Sequence, residues 1–258
     1  MAETFRSLFG RFEKNKICFN YFETHHSNVR AILDYKPKKR NLENYPVHGI
    51  NIAAREVSGD FFSFYPHNDS VYFIIADVAG KGVHAGMVMA KASTLFEVMS
   101  RDQVDPDEMM FHMNNDLFIT KTSGMFVTCV LGKYDLISDE ITWVNGGHQP
   151  AIIRNEQGEY QNFDSDAPPM GVISQKDKSI YKINKQVLNG NKFYVFTDGL
   201  SESLDVEGKE IGIDGSIKII EDNYTNDSKK HLSDVTKKII KISGSEKLSD
   251  DLTLISIG

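Results

Sequence analysis

An α+β fold is predicted, on three observations. Apolar, β-branched runs of strand length come in blocks, at 47–56, 61–65 and 71–78, then at 124–134, 140–144, 150–154 and 159–163. Two helical stretches stand side by side between those blocks, where βαβ units would place one helix after each strand. Two further helical stretches separate a strand at 192–197 from a last one at 252–257. A chain of 258 residues is a common size for one large domain and can bury a sizeable core.

Taken in order, residues 1–45 stand apart as an N-terminal helical and linker segment, with the compact domain expected over 46–258. Phe5, Leu8, Phe9 and Phe12 recur at i, i+3, i+4 and i+7, one face of a short amphipathic helix. That face could pack on the same domain, form a homodimer or regulatory contact, or dock on a membrane, which Glu3 and Glu13 disfavour. Lys36-Pro37-Lys38-Lys39-Arg40 reads as a solvated linker. Asn68-Asp69-Ser70 supplies turn chemistry between the second and third strands.

The first helix is expected over 82–99, with Val83, Met87, Ala90, Thr94 and Val98 along one stripe. The second has Asp105 at its N-cap, Pro106 at N1 and Asp107 and Glu108 in its first turn, with Met109, Met113, Leu117 and Phe118 as its apolar face. A methionine stripe at that spacing is core. Asn189-Gly190 marks a turn before the strand at 192–197. The last two helices are expected over 214–224 and 232–242.

Composition narrows the class. Apolar residues make up 40% and charged residues 25% of the chain, ordinary for a globular protein. A net charge of −7 argues against a general nucleic-acid binder. Cys18 and Cys129, far apart, do not make a disulfide framework, and Cys129 lies in a strand-like run as a core thiol. The N-terminus has no apolar signal region, and the longest apolar run, 71–76, is far too short to span a bilayer. A cytoplasmic protein is expected.

Four aspartates carry the chemistry. Asp60, Asp77, Asp198 and Asp250 each sit at the edge of an apolar strand-like run. Carboxylates there repel one another and resist desolvation unless a cation lies among them, and hard divalent ions such as Mg²⁺ or Mn²⁺ suit oxygen-only clusters. A binuclear metal hydrolase follows. The run Asp77-Val78-Ala79-Gly80-Lys81-Gly82 is not a Walker A loop, because Ile75 stands where its first Gly belongs and Gly82 where Ser or Thr belongs. No HExxH, CxxC pair or EF-hand loop occurs.

Five segments in series carry a resemblance: Val57-Ser58-Gly59-Asp60-Phe61-Phe62, Asp77-Val78-Ala79-Gly80-Lys81-Gly82-Val83, Asn145-Gly146-Gly147-His148-Gln149-Pro150, Phe196-Thr197-Asp198-Gly199 and Asp250-Asp251-Leu252-Thr253. Over 45–258 the chain resembles the SpoIIE/RsbU branch of the PPM-type, metal-dependent protein serine/threonine phosphatases. The resemblance implies a central β-sandwich flanked by helices, with two Mn²⁺ or Mg²⁺ ions at one end. It implies that Asp77 bridges both ions with the Val78 carbonyl as a further ligand. Asp60 would complete one site and Asp198 and Asp250 the other, with Asp251 a neighbour or alternative ligand. Gly199 would permit a tight turn. A phosphorylated STAS-domain regulator in bacterial partner switching is the implied substrate, and an upstream regulatory protein is an implied partner.

The sequence departs from that pattern at Ser63, where many relatives carry a second aspartate, at Ala79 for a frequent Ser, and at His84 for a common Pro. His148 is expected to be a structural turn residue, His84 a surface residue and Arg55 an outward strand residue. Two rivals stay open: a catalytically silent binding or scaffold module of the same fold, and a phosphohydrolase acting on small phosphoesters.

Overall fold

The computed structural model describes residue 42 and residues 45–54, 58–80, 82–120, 124–243 and 248–258. The expectations for Phe5 to Phe12, the basic stretch at 36–40, Cys18 and Arg55 lie outside those residues.

Two five-stranded antiparallel sheets form the centre. Strands β1 (Val47–Ile52), β6 (Ala151–Arg154), β7 (Tyr160–Phe163), β9 (Lys192–Phe196) and β10 (Leu252–Ile257) make one, in the order β1-β10-β9-β6-β7. Strands β2 (Phe61–His67), β3 (Ser70–Val78), β4 (Val127–Asp135), β5 (Glu140–Gly146) and β8 (Asn184–Val187) make the other, in the order β2-β3-β4-β5-β8. Helices α1 (Val83–Arg101) and α2 (Pro106–Ile119) cover the second sheet, and α4 (Gly212–Asp222) and α5 (Ser228–Ile242) cover the first. A single turn, α3 (Asp198–Ser201), follows β9. The result is a helix/sheet/sheet/helix stack, the expected α+β sandwich.

Both faces of each sheet are therefore buried, which explains strands that read as unbroken apolar runs. In β3, Val71, Phe73 and Ile75 face the opposing sheet while Tyr72, Ile74 and Ala76 face the helices. Each of the Val, Ile and Phe side chains contributes about 1.5–3 kcal/mol by leaving water. Trp143 sits at the centre of the inter-sheet layer, its ring 5.1 Å from Phe193 and 5.2 Å from Phe163.

The β2–β3 hairpin turns at Asn68 and Asp69, and Asn68 takes the positive φ of 52° that Asn tolerates. Asn189-Gly190 makes the expected turn, but it carries the chain from β8 in one sheet to β9 in the other.

Several boundaries differ from expectation. The first strand ends at Ile52, and α5 starts at Ser228, capped by the Asp227 carboxylate accepting from Lys230 N at 3.0 Å. Asp105 does stand at the N-cap of α2, but its side chain makes no capping bond. Strand β8 was not expected, because its side chains are exposed and polar.

The stripe assigned to the first helix is corrected. Val83, Met87 and Val98 are exposed, and α1 instead buries Ala85, Gly86, Val88, Ala92, Phe96 and Ser100 against β2 and β3. The helix is apolar on several sides, so periodicity did not single out a face. Small residues at 85, 86 and 92 form the face that packs closest to the sheet.

Candidate active site

One end of the inter-sheet layer changes from apolar to polar within single rows of side chains. Because side chains alternate across a strand, Ile257 and Ile255 are followed on the same face by Thr253, and Phe193 and Val195 by Thr197. On β3 the row Val71, Phe73, Ile75 continues to Asp77, and on β2 the row Phe64, Phe62 reaches back to Asp60. Val47 on β1 leads to Asn51, which pairs with Thr253. Polar groups from both sheets thus meet at this end.

Asp60, only 3% exposed, is the most enclosed of the four predicted aspartates. Its Oδ2 accepts hydrogen bonds from Thr197 Oγ1 at 2.6 Å and Thr253 Oγ1 at 2.9 Å. Asn51 Nδ2 donates to Thr253 Oγ1 at 2.7 Å and to the Asp60 carbonyl at 3.3 Å. Thr253 N donates to Thr197 Oγ1 at 3.0 Å.

Burial and then like charge shape the electrostatics. Burial, and then the charge of Asp77, hold the Asp60 carboxyl well above the usual carboxylate range, against the two threonine bonds. Asp77 is pushed up to about 6, first by burial and then by Asp198, with Asp250 and Asp251 adding to the effect. Asp77 therefore feels Asp60, Asp198, Asp250 and Asp251 together, which is how the structure relates the predicted site residues.

All of these polar residues except Asn51 and Asp60 lie in a stretch of recognisable ancestry. The family described as Stage II sporulation protein E (SpoIIE) matches residues 67–258. The chain belongs to the SpoIIE family. It is similar to the phosphoserine phosphatase RsbU of Bacillus subtilis (strain 168), 22% identical over 213 residues, which cover 83% of this chain and 63% of RsbU. The chain thus spans less than two thirds of that relative. Its fold matches the SiaA-PP2C domain of Pseudomonas aeruginosa with a TM-score of 0.76 at 16% identity, over 96% of this chain and 97% of that one. It also matches the PP2C phosphatase domain of SpoIIE from Bacillus subtilis, TM-score 0.71 at 20% identity, over 81% and 61% of the two chains. The expected family and sandwich fold are both borne out.

Within this SpoIIE-family domain the donor set fits hard divalent ions by its chemistry: carboxylates of Asp60, Asp77, Asp198 and Asp250, with the Val78 carbonyl beside them. Gly59 keeps that corner open, since a Cβ there would lie 3.1 Å from Val78 O and 3.5 Å from Asp77 Oδ1. Among the described residues, no group of three or more His, Cys, Asp or Glu side chains is gathered so as to hold an ion unaided. The fit rests on donor type and mutual repulsion, without a preformed cage.

Asp251 faces elsewhere. Its Oδ1 accepts from Ala54 N at 2.7 Å and its Oδ2 from Gly59 N at 2.8 Å, so both oxygens are committed to the backbone that leads into Asp60. Its own N–H donates to Asp250 Oδ1 at 3.0 Å. As placed, Asp251 is a clamp on the β1–β2 connection. Gly199 also has a different reason from the expected tight turn. It lies in α3, and a Cβ there would sit 1.9 Å from the Asp251 carbonyl oxygen. Backbone packs on backbone at that point.

The Asn145 to Pro150 motif forms the crossing from β5 to β6 between sheets. Asn145 bridges it, accepting from His148 N at 2.9 Å and donating to the Gln149 carbonyl at 3.0 Å. His148 Nδ1 pairs with Thr128 Oγ1 at 2.9 Å, beside the Asp77–Thr128 register pair. Its Nε2 faces the Phe196 backbone outside hydrogen-bond geometry, and burial lowers the ring's pKa to about 3. It is the structural residue expected. His84 is exposed in the first turn of α1. Ser63 alternates with Phe62 and Phe64, so it points away from the Asp60 face of β2.

Sequence reasoning missed Thr197, Thr253 and Asn51. Each lies on the inward row of its strand, one step beyond buried apolar residues, and that parity could have found them.

Proposed function

We propose that this SpoIIE-family domain hydrolyses phosphoserine and phosphothreonine in proteins, using two Mn²⁺ or Mg²⁺ ions. The observation that carries the reading is the meeting of buried Asp60 with half-buried Asp77, Asp198 and Asp250, which repel one another, from both sheets at one end of the sandwich. Asp60, Asp77, the Val78 carbonyl, Asp198 and Asp250 would hold the ions, with Asp77 shared between them. Bound there, such ions supply a nucleophile from water at neutral pH and neutralise charge on a phosphoryl group. The protein's part is to keep anionic oxygen donors fixed at the domain's end. The site needs no covalent nucleophile, and Cys129, buried with its thiol pKa pushed up by desolvation, is not one.

The substrate proposed is a phosphorylated STAS-domain regulator in the cytoplasm of a bacterium; the similarity to a phosphoserine phosphatase supports the phosphoserine part of that reading. Among the described residues, no helix is long and apolar enough to cross a membrane.

Hydrolysis of a phosphoserine protein, a phosphopeptide and a nucleotide, each with Mn²⁺, Mg²⁺ or chelator, tests the reading. Metal-dependent turnover of the phosphoprotein, lost in Asp77→Asn, is expected. A preference for the nucleotide would move the activity to small phosphoesters. Absence of turnover in folded, metal-loaded protein, alone and with a candidate partner, would favour the scaffold alternative.

A further inference from the structure

When Asp60 is the carboxylate that a cation would bind, the hydrogen bonds around it can run in only one direction. Thr253 N–H can only donate, so Thr197 Oγ1 must accept from it, and the Thr197 hydroxyl proton is left for Asp60 Oδ2. Asn51 Nδ2 lies within reach of two acceptors, the Asp60 carbonyl and Thr253 Oγ1, which fixes the orientation of its amide. Thr253 Oγ1 therefore accepts from Asn51, and its proton also goes to Asp60 Oδ2. Thr197 and Thr253 are both fully buried, so water does not compete.

We propose that Thr197 and Thr253 are positioning residues that lock the Asp60 side chain and thereby register one half of the carboxylate set against the other. The inference rests on the metal-dependent reading above. Asp60 and Asp77 belong to the β2–β3 sheet, whereas Asp198 and Asp250 flank strands of the β9–β10 sheet. The two hydroxyls come from β10 and the end of β9, so they tie Asp60 to the opposite sheet where the two halves must face a common ligand. With Oδ2 accepting two protons, Oδ1 is the oxygen left for a cation. A carboxylate lacking these bonds would be free to turn about χ1 and χ2, and each ion would meet a less ordered donor set. Outer-shell partners of this kind change metal affinity by about 10–100-fold.

The test is Mn²⁺ affinity, read from free Mn²⁺ by electron paramagnetic resonance, on the full chain. It compares wild type with Thr197→Val, Thr253→Val, Thr197→Ser, Thr253→Ser and Asp77→Asn, with folding checked by circular dichroism in chelator. Each valine variant is expected to weaken Mn²⁺ binding about 10-fold or more, and each serine variant to stay within about threefold of wild type. Folded valine variants that bind as tightly as wild type would overturn the inference and leave the metal site standing. Serine variants as weak as the valines would also overturn it, since the hydroxyl would not be what matters. Wild type binding no more Mn²⁺ than Asp77→Asn would overturn the metal reading and this inference with it. Should a valine variant not fold, Asn51→Ala removes the donor that orients Thr253 and is expected to weaken binding in the same direction. Unchanged affinity in that variant counts against the proposal.

Discussion

Asp251→Asn separates a loop clamp from a metal ligand by the sign of its effect on the metal-free protein. The carboxylate accepts two backbone N–H groups, from Ala54 and Gly59, one on each oxygen. Asparagine keeps the shape but has one acceptor oxygen, so its NH₂ must face one of those N–H donors. A hydrogen bond to a charged acceptor is worth about 1.5–3 kcal/mol, and a buried donor left unpaired costs about 1–3 kcal/mol. A net loss of about 3 kcal/mol is expected, once relief of repulsion with Asp60 and Asp77 is subtracted. For a domain of this size that corresponds to a fall of about 6–12 °C in Tm. The assay is thermal unfolding by circular dichroism with excess chelator. A residue that acted only as a ligand would give the opposite result, since removing one charge from a like-charged group stabilises the apo protein. A variant as stable as wild type, or more stable, in chelator would refute the clamp.

Other contacts of the fold give further expected outcomes. Gly199→Ala places a methyl group against the Asp251 carbonyl, and should cost about 3 kcal/mol or more and abolish turnover, measured by urea unfolding and phosphatase assay. Asp77→Asn should abolish metal-dependent turnover while leaving Tm in chelator unchanged or higher, because it removes a carboxyl whose pKa is pushed up to about 6 by burial and then by its acidic neighbours. His148 is neutral when folded, with its pKa lowered to about 3 by burial, so the unfolded chain binds the extra proton below about 6.5. Its contribution to stability is full above that pH and falls as pH drops, by about 2 kcal/mol between pH 6.5 and 5. His148→Gln should flatten the fall in unfolding free energy over that window. Arg154→Lys breaks the two bonds to Glu221 at 2.7 and 3.0 Å and the stacking 3.7 Å from the Tyr224 ring centre. It should lower stability by about 2 kcal/mol with turnover at 25 °C unchanged.

Much of this protein is written locally. The strand blocks, the Asn-Gly turn, the two adjacent helices and the four aspartates at strand edges are properties of short windows, because pleat alternation and helix periodicity act over a few residues. The order of the motifs was enough to give the family and its sandwich fold.

Tertiary structure decided what depends on residues far apart in sequence. Which face of α1 is buried turned on packing against β2 and β3, where Ala85, Gly86 and Ala92 fit and Val83 and Met87 do not. The aspartate pair at 250 and 251 was divided by a backbone loop almost 200 residues earlier, which claims both oxygens of Asp251. Gly199 is explained only by the Asp251 carbonyl, just ahead of strand β10. Thr197 and Thr253 stand inside the quoted motifs, but nothing local assigns their hydroxyls a task; they gain one when the two sheets close and bring Asp60 between them. Periodicity sets which way a side chain points, but only the packed sandwich sets what it meets there.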